Sequence, residues 1–105
     1  MNRNKSNLKF VNLHSHCVIG SPFDALGYPN EHFDFAYENG MDAMALTDHG
    51  NMNGYAYALL HSQQMNKDGK QFKYIPGMEA YYIDDVVQWR KDYEEAKKTR
   101  QEKMK

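Results

Sequence analysis

Two histidines lie two positions apart beside the single cysteine of the chain, in the stretch NLHSHCVIG. In an extended strand, side chains two residues apart point to the same face, so His14 and His16 can reach one ion. Neutral imidazoles suit zinc, manganese or iron. The pair therefore permits a metal site, although an isolated H-x-H motif is more often a pair of surface or core histidines.

Two further residues have metal-binding side chains at the end of, or inside, apolar runs. His49 follows the run AMAL in the sequence LTDHG, and Glu79 lies in the aromatic run FKYIPGMEAYYI. Taken singly, His49 reads as an exposed loop residue and Glu79 as a strand carboxylate. Cys17 faces away from His16 in an ideal strand and is more typical of a small buried side chain than of a ligand. We assign His32 and His61, at helical positions, to the surface.

Composition limits the class of protein. With 105 residues and 41% hydrophobic content, the chain can form one small domain. One cysteine cannot form an internal disulfide, and the N-terminus has no apolar run long enough for a signal peptide or a membrane span. We therefore expect a cytoplasmic protein without membrane contact.

Charge is distributed unevenly along the chain. Residues 10–66 contain no Lys or Arg and six acidic residues, a formal charge of about −6. Such a segment attracts cations and repels bare phosphates. Residues 88–105 instead hold seven basic and four acidic residues. We interpret this tail as a solvated helix first, and as a nucleic-acid contact second.

Hydrophobic periodicity predicts the elements that position these residues. Short apolar or β-prone runs predict strands at 9–16, 43–46 and 72–83, with an irregularity at Pro76 and Gly77 in the third. The order β, α, β, α, β, α indicates parallel strands joined by crossover helices. The candidate ligands then follow strands or lie within one, and they converge on the carboxyl edge of the sheet, where α/β proteins build their sites.

Helices are predicted over 31–39, with Asn30 as N-cap and Gly40 as stop, over 55–65, and from Asp85 onward. Gln88 completes a capping-box-like start for the last helix. The predicted apolar stripes are Phe33, Ala36 and Tyr37 in the first helix, Ala56, Leu59 and Leu60 in the second, and Val86, Trp89, Tyr93 and Ala96 in the third.

In combination, four stretches resemble a known family. FVNLHSH, SPFDALG, NGMDAMALTDHGNMNG and YIPGMEAYYI are similar to the N-terminal part of a PHP (polymerase and histidinol phosphatase) domain, in the branch found in bacterial DNA polymerase III α subunits. The resemblance covers residues 10–83 and is most specific over 40–54.

The resemblance implies a fold, a ligand set and a chemistry. The fold is a distorted barrel of seven βα units that holds up to three divalent ions. The chemistry is that of a metal-dependent phosphoesterase or 3′-5′ exonuclease, or a structural part of the polymerase where ligands are lost. Asp48 would orient the neighbouring ligands, and the ligands themselves would be His14, His16, Asp24, His49 and Glu79, with catalysis through the metal.

The barrel is expected to be incomplete in this chain. A closed βα barrel takes about 250 residues, and the family draws another His, a Cys and an Asp-x-His from further along. We therefore expect about three βα units in residues 1–84, followed over 85–105 by a charged amphipathic helix that is an insertion or a continuation. A split gene, an interrupted reading frame or a truncation would produce such a piece. The remainder of a polymerase subunit, or another chain, would complete the barrel and would bring any contact with DNA.

Three functions remain open at this point. The chain contributes ligands to the nuclease-like site of a replicative polymerase, or it is a small independent phosphoesterase. The third function is a scaffold without catalysis, in which the remaining ligands hold a metal for stability. We expect the polymerase family and, for the isolated chain, no activity of its own.

Overall fold

The computed structural model describes residues 10–104. It has a mixed α/β architecture, as the sequence predicts, with three helices and two of the three predicted strands. In chain order the elements are α1 (Pro29–Glu38), β1 (Ala43–His49), α2 (Tyr55–Lys67), β2 (Lys73–Glu79) and α3 (Val86–Lys103). Within these residues, no helix has both the length and the apolar character needed to cross a bilayer.

The two strands form a parallel sheet, which confirms the predicted strand direction. The register pairs Ala43 with Lys73 at one end and His49 with Glu79 at the other. The glycine after His49, Gly50, has φ +68° and turns the chain away from the sheet. Its N–H donates to the Glu79 carbonyl at 3.0 Å, which closes the pairing at this end. The sheet therefore places His49 and Glu79 side by side.

The predicted first strand is wrong as a regular strand, and its first residue, at position 9, lies outside the described part. The segment runs parallel to β1 but has only one isolated bridge, Asn12 with Met44. Ala45 N–H donates to the Asn12 carbonyl, whereas Thr47 N–H donates to the carbonyl of Ser15. Ser15 lies three residues after Asn12, whereas Thr47 lies two residues after Ala45, so this segment has one extra residue relative to β1. Such an extra residue is the signature of a β-bulge.

Side chains replace the missing backbone bonds of this segment. The Asn12 side-chain oxygen accepts from His14 N–H at 3.0 Å, and the Ser15 hydroxyl donates to the Ala45 carbonyl. Ser15 N–H in turn donates to the Thr47 hydroxyl at 3.2 Å. Short polar side chains compete with strand pairing in this way, and periodicity alone does not reveal it.

The third predicted strand is shorter and more regular than expected. It ends at Glu79 rather than at residue 83, and its pairing with β1 continues through Pro76 and Gly77. Lys73 N–H donates to the Asp42 carbonyl, so the N–H groups of alternate residues from Lys73 face β1. The nitrogen of Pro76 faces the outer edge, where it needs no partner in β1. The predicted irregularity is therefore not observed.

Helix α1 begins earlier than predicted. Pro29 occupies its first turn, Tyr28 is its N-cap instead of Asn30, and the Glu31 carboxylate accepts from Tyr28 N–H at 3.1 Å. Proline at the first helical position already has the helical φ and lacks a donor that would be unpaired there, which explains the shift. Phe33 and Ala36 are buried, as the predicted stripe requires.

Helix α2 extends two residues beyond the prediction and faces the core differently. Its buried residues are Ala58, Ser62 and Met65, whereas Leu60 is 66% exposed and Ala56 is also exposed. The Ser62 hydroxyl donates to the Leu59 carbonyl at 3.0 Å, so this polar residue can be buried without losing a hydrogen bond. Of the predicted stripe, Leu59 is partly buried, whereas the predicted inward positions of Ala56 and Leu60 are wrong.

The core lies where α1 and α2 pack against each other and against the strands. The Phe33 ring contacts Phe72 and Tyr74, with centroid distances of 5.1 and 5.5 Å. The buried cluster comprises Cys17, Phe33, Ala36, Met44, Leu46, Ala58, Met65 and Phe72. Its position fixes the carboxyl ends of both strands relative to the segment that carries His14 and His16.

Helix α3 stands apart from this core. The Asp85 carboxylate accepts from Gln88 N–H at 2.9 Å, which confirms the predicted start. Trp89 stacks on Tyr93 at 5.5 Å, yet no residue of α3 is buried. Among the described elements, α3 packs against no other helix or strand. The predicted apolar stripe of this helix thus remains on the surface.

Removal of residues 85–105 is expected to change the free energy of unfolding by less than about 0.5 kcal/mol, because α3 buries nothing against the core. Urea unfolding of the full and the shortened chain measures this change. Met65→Ala is the positive control, because deleting a buried side chain of this size costs roughly 2–5 kcal/mol. A shortened chain as unstable as the Met65→Ala variant would show that α3 supports the core.

Candidate metal centre

Five predicted ligands meet at one end of the sheet. His49 and Glu79 are the last residues of β1 and β2 and lie directly opposite each other. His14 and His16 come from the extended segment beside β1, and Asp24 comes from the turn that follows it. The carboxyl ends of the parallel strands therefore gather side chains that are far apart in the sequence.

Glu79 contacts the three histidines of the cluster. Its Oε1 lies 2.6 Å from His14 Nε2 and 3.4 Å from His16 Nε2, and its Oε2 lies 2.5 Å from His49 Nδ1. The hydrogen bond from His14, followed by the charges of the nearby histidines, lowers the pKa of the Glu79 carboxyl. This carboxylate is therefore held in the ionised form that binds cations.

Asp24 completes the other side of the cluster. Its Oδ2 lies 2.6 Å from His49 Nε2 and 3.7 Å from His16 Nδ1. The hydrogen bond to Asp24, together with the charges of Asp24 and Glu79, raises the pKa of the His49 imidazole. Both ring nitrogens of His49 thus face carboxylates.

The five side chains form two overlapping groups of potential ligands. In each group the ligand atoms lie within 4.8 Å of one another, and His16 belongs to both. The groups are His14, His16 and Glu79, and His16, Asp24 and His49. The His16 ring lies between them, with centroids 5.0 Å from His14 and 4.1 Å from His49.

The environment of His16 is compatible with a divalent ion at this site. Its Nε2 is buried and forms no hydrogen bond among the described residues, although Glu79 Oε1 lies 3.4 Å away. An unpaired buried polar atom costs roughly 1–3 kcal/mol, which coordination to a cation would offset. The remaining donors are imidazole nitrogens and carboxylate oxygens, which suit zinc, manganese or iron.

The surroundings of the cluster are acidic. Residues 10–66 contain no Lys or Arg. Lys73 begins β2 at the end opposite to Glu79, six residues and roughly 20 Å away along the strand. A negatively charged segment of this kind attracts cations. Phosphate groups would need a cation to neutralise this field.

Asp48 is buried behind the cluster, with 2% of its surface exposed. Its Oδ1 accepts from Cys17 N–H and from the Ser21 hydroxyl, both at 2.8 Å. The Ser21 oxygen also accepts from His49 N–H at 3.2 Å. Asp48 therefore holds the turn after His16 against β1, and its carboxylate accepts hydrogen bonds from Cys17 and Ser21 rather than from the ligand side chains.

Cys17 contributes to this support rather than to the ligand set. It is fully buried, as its sequence context predicts, and its Sγ–H lies 3.1 Å from Asp48 Oδ2. Burial, opposed by hydrogen bonds from the backbone, raises the pKa of the Cys17 thiol. The thiol is thus kept protonated, which disfavours metal binding through sulfur.

Two histidines predicted to lie on the surface are outside the cluster. His32 Nε2 lies 2.8 Å from the Leu26 carbonyl, and His61 Nε2 lies 2.7 Å from Asp34 Oδ1. Both are partly buried rather than fully exposed. Each of these two imidazoles forms its hydrogen bond with a residue outside the cluster.

Sequence analysis missed the residues that fasten the turn to the strand. The Asn51 side-chain amide donates to the Gly20 carbonyl at 2.8 Å and to the His49 carbonyl at 2.9 Å. Ser21, as described above, links Asp48 to His49. The only signal for Asn51 in the sequence was its position directly after the turn glycine of TDHGN, and a single asparagine after a strand has many other uses.

Gly20→Ala is expected to destabilise the chain and weaken metal binding together. A Cβ at this position would lie 2.5 Å from Asp48 Cγ and 2.6 Å from Asn51 Oδ1, so the turn after His16 must move. Overpacking of this kind costs roughly 1–3 kcal/mol. Urea unfolding and a zinc titration measure the two effects.

The control for this substitution is Gly69→Ala, where a Cβ would meet nothing within 4 Å but φ is +85°. That variant should lose some stability through backbone strain and keep the metal affinity of the wild type. Equal metal affinity in Gly20→Ala and the wild type would contradict the role of the turn.

Comparisons with known proteins relate this chain to one family. The family model described as the PHP domain matches residues 12–104. A DNA polymerase III PolC-type from Thermotoga maritima is 39% identical over 82 residues, and one from Thermotoga petrophila is 38% identical over 81. These matches cover 78% and 77% of this chain but only 6% of each relative. No solved structure matches the chain.

Proposed function

Since this chain belongs to the PHP domain family, we propose that its five clustered side chains hold divalent ions in a phosphoester-hydrolysing centre. The ligands are His14, His16, Asp24, His49 and Glu79. The observation that carries the proposal is the partly buried His16 ring, which turns one nitrogen toward each group of ligands and leaves its buried Nε2 without a hydrogen bond.

The residues of the site have two roles, metal binding and support of the ligands. His14, His16 and Glu79 form one group of ligands, and Asp24 and His49 join His16 in the other. Asp48 acts through Cys17 and Ser21 and keeps His16 and His49 in place. Divalent ions bound there would supply Lewis-acid chemistry and would balance the charge of a phosphoryl group. Residues 10–66 supply four of the five ligands and contain no Lys or Arg, so this segment offers a phosphate no lysine or arginine of its own.

We place this centre in a replicative polymerase of the PolC type, acting on phosphodiesters in a 3′-5′ exonuclease-like reaction. The support is the identity to two such polymerases over most of this chain. The outer edge of β2 is unpaired by any described strand. Exposed strand edges invite pairing with another segment. A further part of the polymerase, or a second chain, would supply that segment, complete the barrel and bring the contact with DNA.

The direct test is whether the zinc-loaded chain binds a phosphoester. Thymidine 5′-monophosphate is titrated into the loaded chain and followed by ³¹P NMR, with bis(p-nitrophenyl) phosphate as a hydrolysis probe. We expect the nucleotide to bind the wild type and not His16→Ala. Turnover should be weak, because residues 10–66, which supply four of the five ligands, contain no Lys or Arg to stabilise the charge that develops on the phosphoryl group. A metal-loaded chain that neither binds the nucleotide nor hydrolyses the diester would contradict the phosphoesterase proposal.

A metal-stabilised scaffold without catalysis is the second candidate. The observation that favours it is that the ligands come from four separate places: the segment before the turn, the turn itself, β1 and β2. One bound ion would cross-link these parts and stabilise the fold without any reaction. A large rise in melting temperature with zinc, without nucleotide binding, would support the scaffold over the enzyme.

A further inference from the structure

A tyrosine that sequence analysis did not single out lies at the edge of the cluster. Tyr81 is two residues beyond Glu79, after the end of β2, and its side chain is 72% exposed. Its hydroxyl lies 3.2 Å from His49 Nδ1, and its ring stacks on the His49 imidazole with an interplanar angle of 19° and a centroid distance of 6.5 Å. Tyr81 thus touches a potential ligand without being one.

The local backbone keeps the tyrosine in this position. Gly50 N–H donates to the Glu79 carbonyl, which fixes where the chain leaves β2. A Cβ at Gly50 would lie 3.4 Å from Tyr81 Cε2, and the φ of +68° there already favours glycine. The Tyr81 ring therefore packs over the Gly50 backbone, where no side chain occupies the space.

A metal-binding histidine needs an acceptor for its other ring nitrogen. That second hydrogen bond fixes the tautomer and the ring orientation, and its loss typically costs 10-fold to 100-fold in affinity. In the group with His16 and Asp24, the His49 nitrogen that faces the Asp24 carboxylate is Nε2, 2.6 Å from Asp24 Oδ2. We take Nε2 as the ligand atom of His49. Nδ1–H is then the nitrogen that requires the acceptor.

Two acceptors face His49 Nδ1 among the described residues: Glu79 Oε2 at 2.5 Å and the Tyr81 hydroxyl at 3.2 Å. Glu79 also belongs to the other group of ligands, with His14 and His16. A carboxylate that binds a cation has fewer lone pairs for an imidazole N–H. The tyrosine hydroxyl, which belongs to neither group, keeps its lone pairs for His49.

We propose that Tyr81 is a positioning residue that accepts the hydrogen bond of His49 Nδ1–H and so holds His49 Nε2 ready to bind the metal. The inference rests on the metal centre proposed above and adds a residue to it. It assigns a role to the hydroxyl group specifically, because the exposed ring contributes little to the core.

The test compares Tyr81→Phe with Tyr82→Phe. Both remove one hydroxyl from an exposed tyrosine, and Tyr82 is 87% exposed. Zinc affinity is measured by competition with a chelating dye, and the tautomer of His49 by long-range ¹H–¹⁵N NMR of the zinc-loaded chain. We expect Tyr81→Phe to weaken zinc binding roughly 10-fold and to reduce the Nδ1–H tautomer of His49. Tyr82→Phe should match the wild type in both measurements.

The melting temperature without metal separates positioning from a structural role, because it should be the same in both variants and the wild type. Unchanged zinc affinity and tautomer in Tyr81→Phe, with normal binding by the wild type, would overturn the inference and leave the metal centre intact. A wild-type chain that binds no zinc would overturn both.

Discussion

His16→Ala is expected to lower zinc affinity more than about 100-fold, the largest loss of any single substitution in the cluster. Loss of a residue that only supports a ligand already costs up to roughly 100-fold, and His16 is a ligand candidate in both groups. His14→Ala leaves the group of His16, Asp24 and His49 complete, and Asp24→Ala leaves the other group complete. Only the loss of His16 breaks both.

Competition with a chelating dye, checked by equilibrium dialysis and elemental analysis, ranks these variants. The matched control is His61→Ala, because His61 is a partly buried histidine whose partner is Asp34, outside the cluster. It should bind zinc like the wild type. If His16→Ala binds no worse than His14→Ala and Asp24→Ala, the overlap of the two groups is not how the site works.

Asp48→Ala is expected to produce the largest loss of stability, several kcal/mol. The carboxylate accepts from Cys17 N–H, Cys17 Sγ–H and the Ser21 hydroxyl, and it is buried with them. Each donor left unpaired costs roughly 1–3 kcal/mol. Their sum approaches the whole stability of a small domain, about 5–15 kcal/mol. Urea unfolding monitored by circular dichroism gives the change.

Asp48→Asn separates the loss of hydrogen bonds from the creation of a cavity. Its carbonyl oxygen can still accept from Cys17 N–H and Ser21, while its amide group faces the Cys17 sulfur and loses that bond. We expect an intermediate loss of stability, and only a small loss without metal for the exposed Asp24→Ala. An Asp48→Ala chain as stable as the wild type would refute the supporting role of this carboxylate.

The sequence predicted the two strands that position the site, but it predicted their end residues less well. The run AMAL and the aromatic run around Glu79 predicted two strands, and parallel pairing followed from the alternation with helices. Because parallel strands end at the same edge, the proximity of His49 and Glu79 could be expected before any coordinates. The resemblance to the PHP family added Asp24, which no pattern of periodicity would have selected.

What the sequence could not predict depends on side chains that take over backbone roles. The side chains of Ser15 and Asn12 replace strand hydrogen bonds in the first segment. The Ser62 hydroxyl donates to the Leu59 carbonyl within α2 and can therefore be buried. These side-chain hydrogen bonds do not change the hydrophobic pattern of the sequence. A strand or a buried helix face predicted from that pattern can therefore differ from the observed one. The contact between Tyr81 and His49 is equally invisible, because it depends on the turn at Gly50.

We propose that imidazole and carboxylate groups from four parts of the chain bind one metal centre. X-ray absorption spectroscopy of the zinc-loaded chain tests it most directly, because it counts imidazole and sulfur neighbours of the ion. We predict nitrogen and oxygen ligands only, at about 2.0–2.2 Å, with at least two imidazoles and no sulfur. An ion bound by the Cys17 sulfur, or one without histidine ligands, would contradict the account.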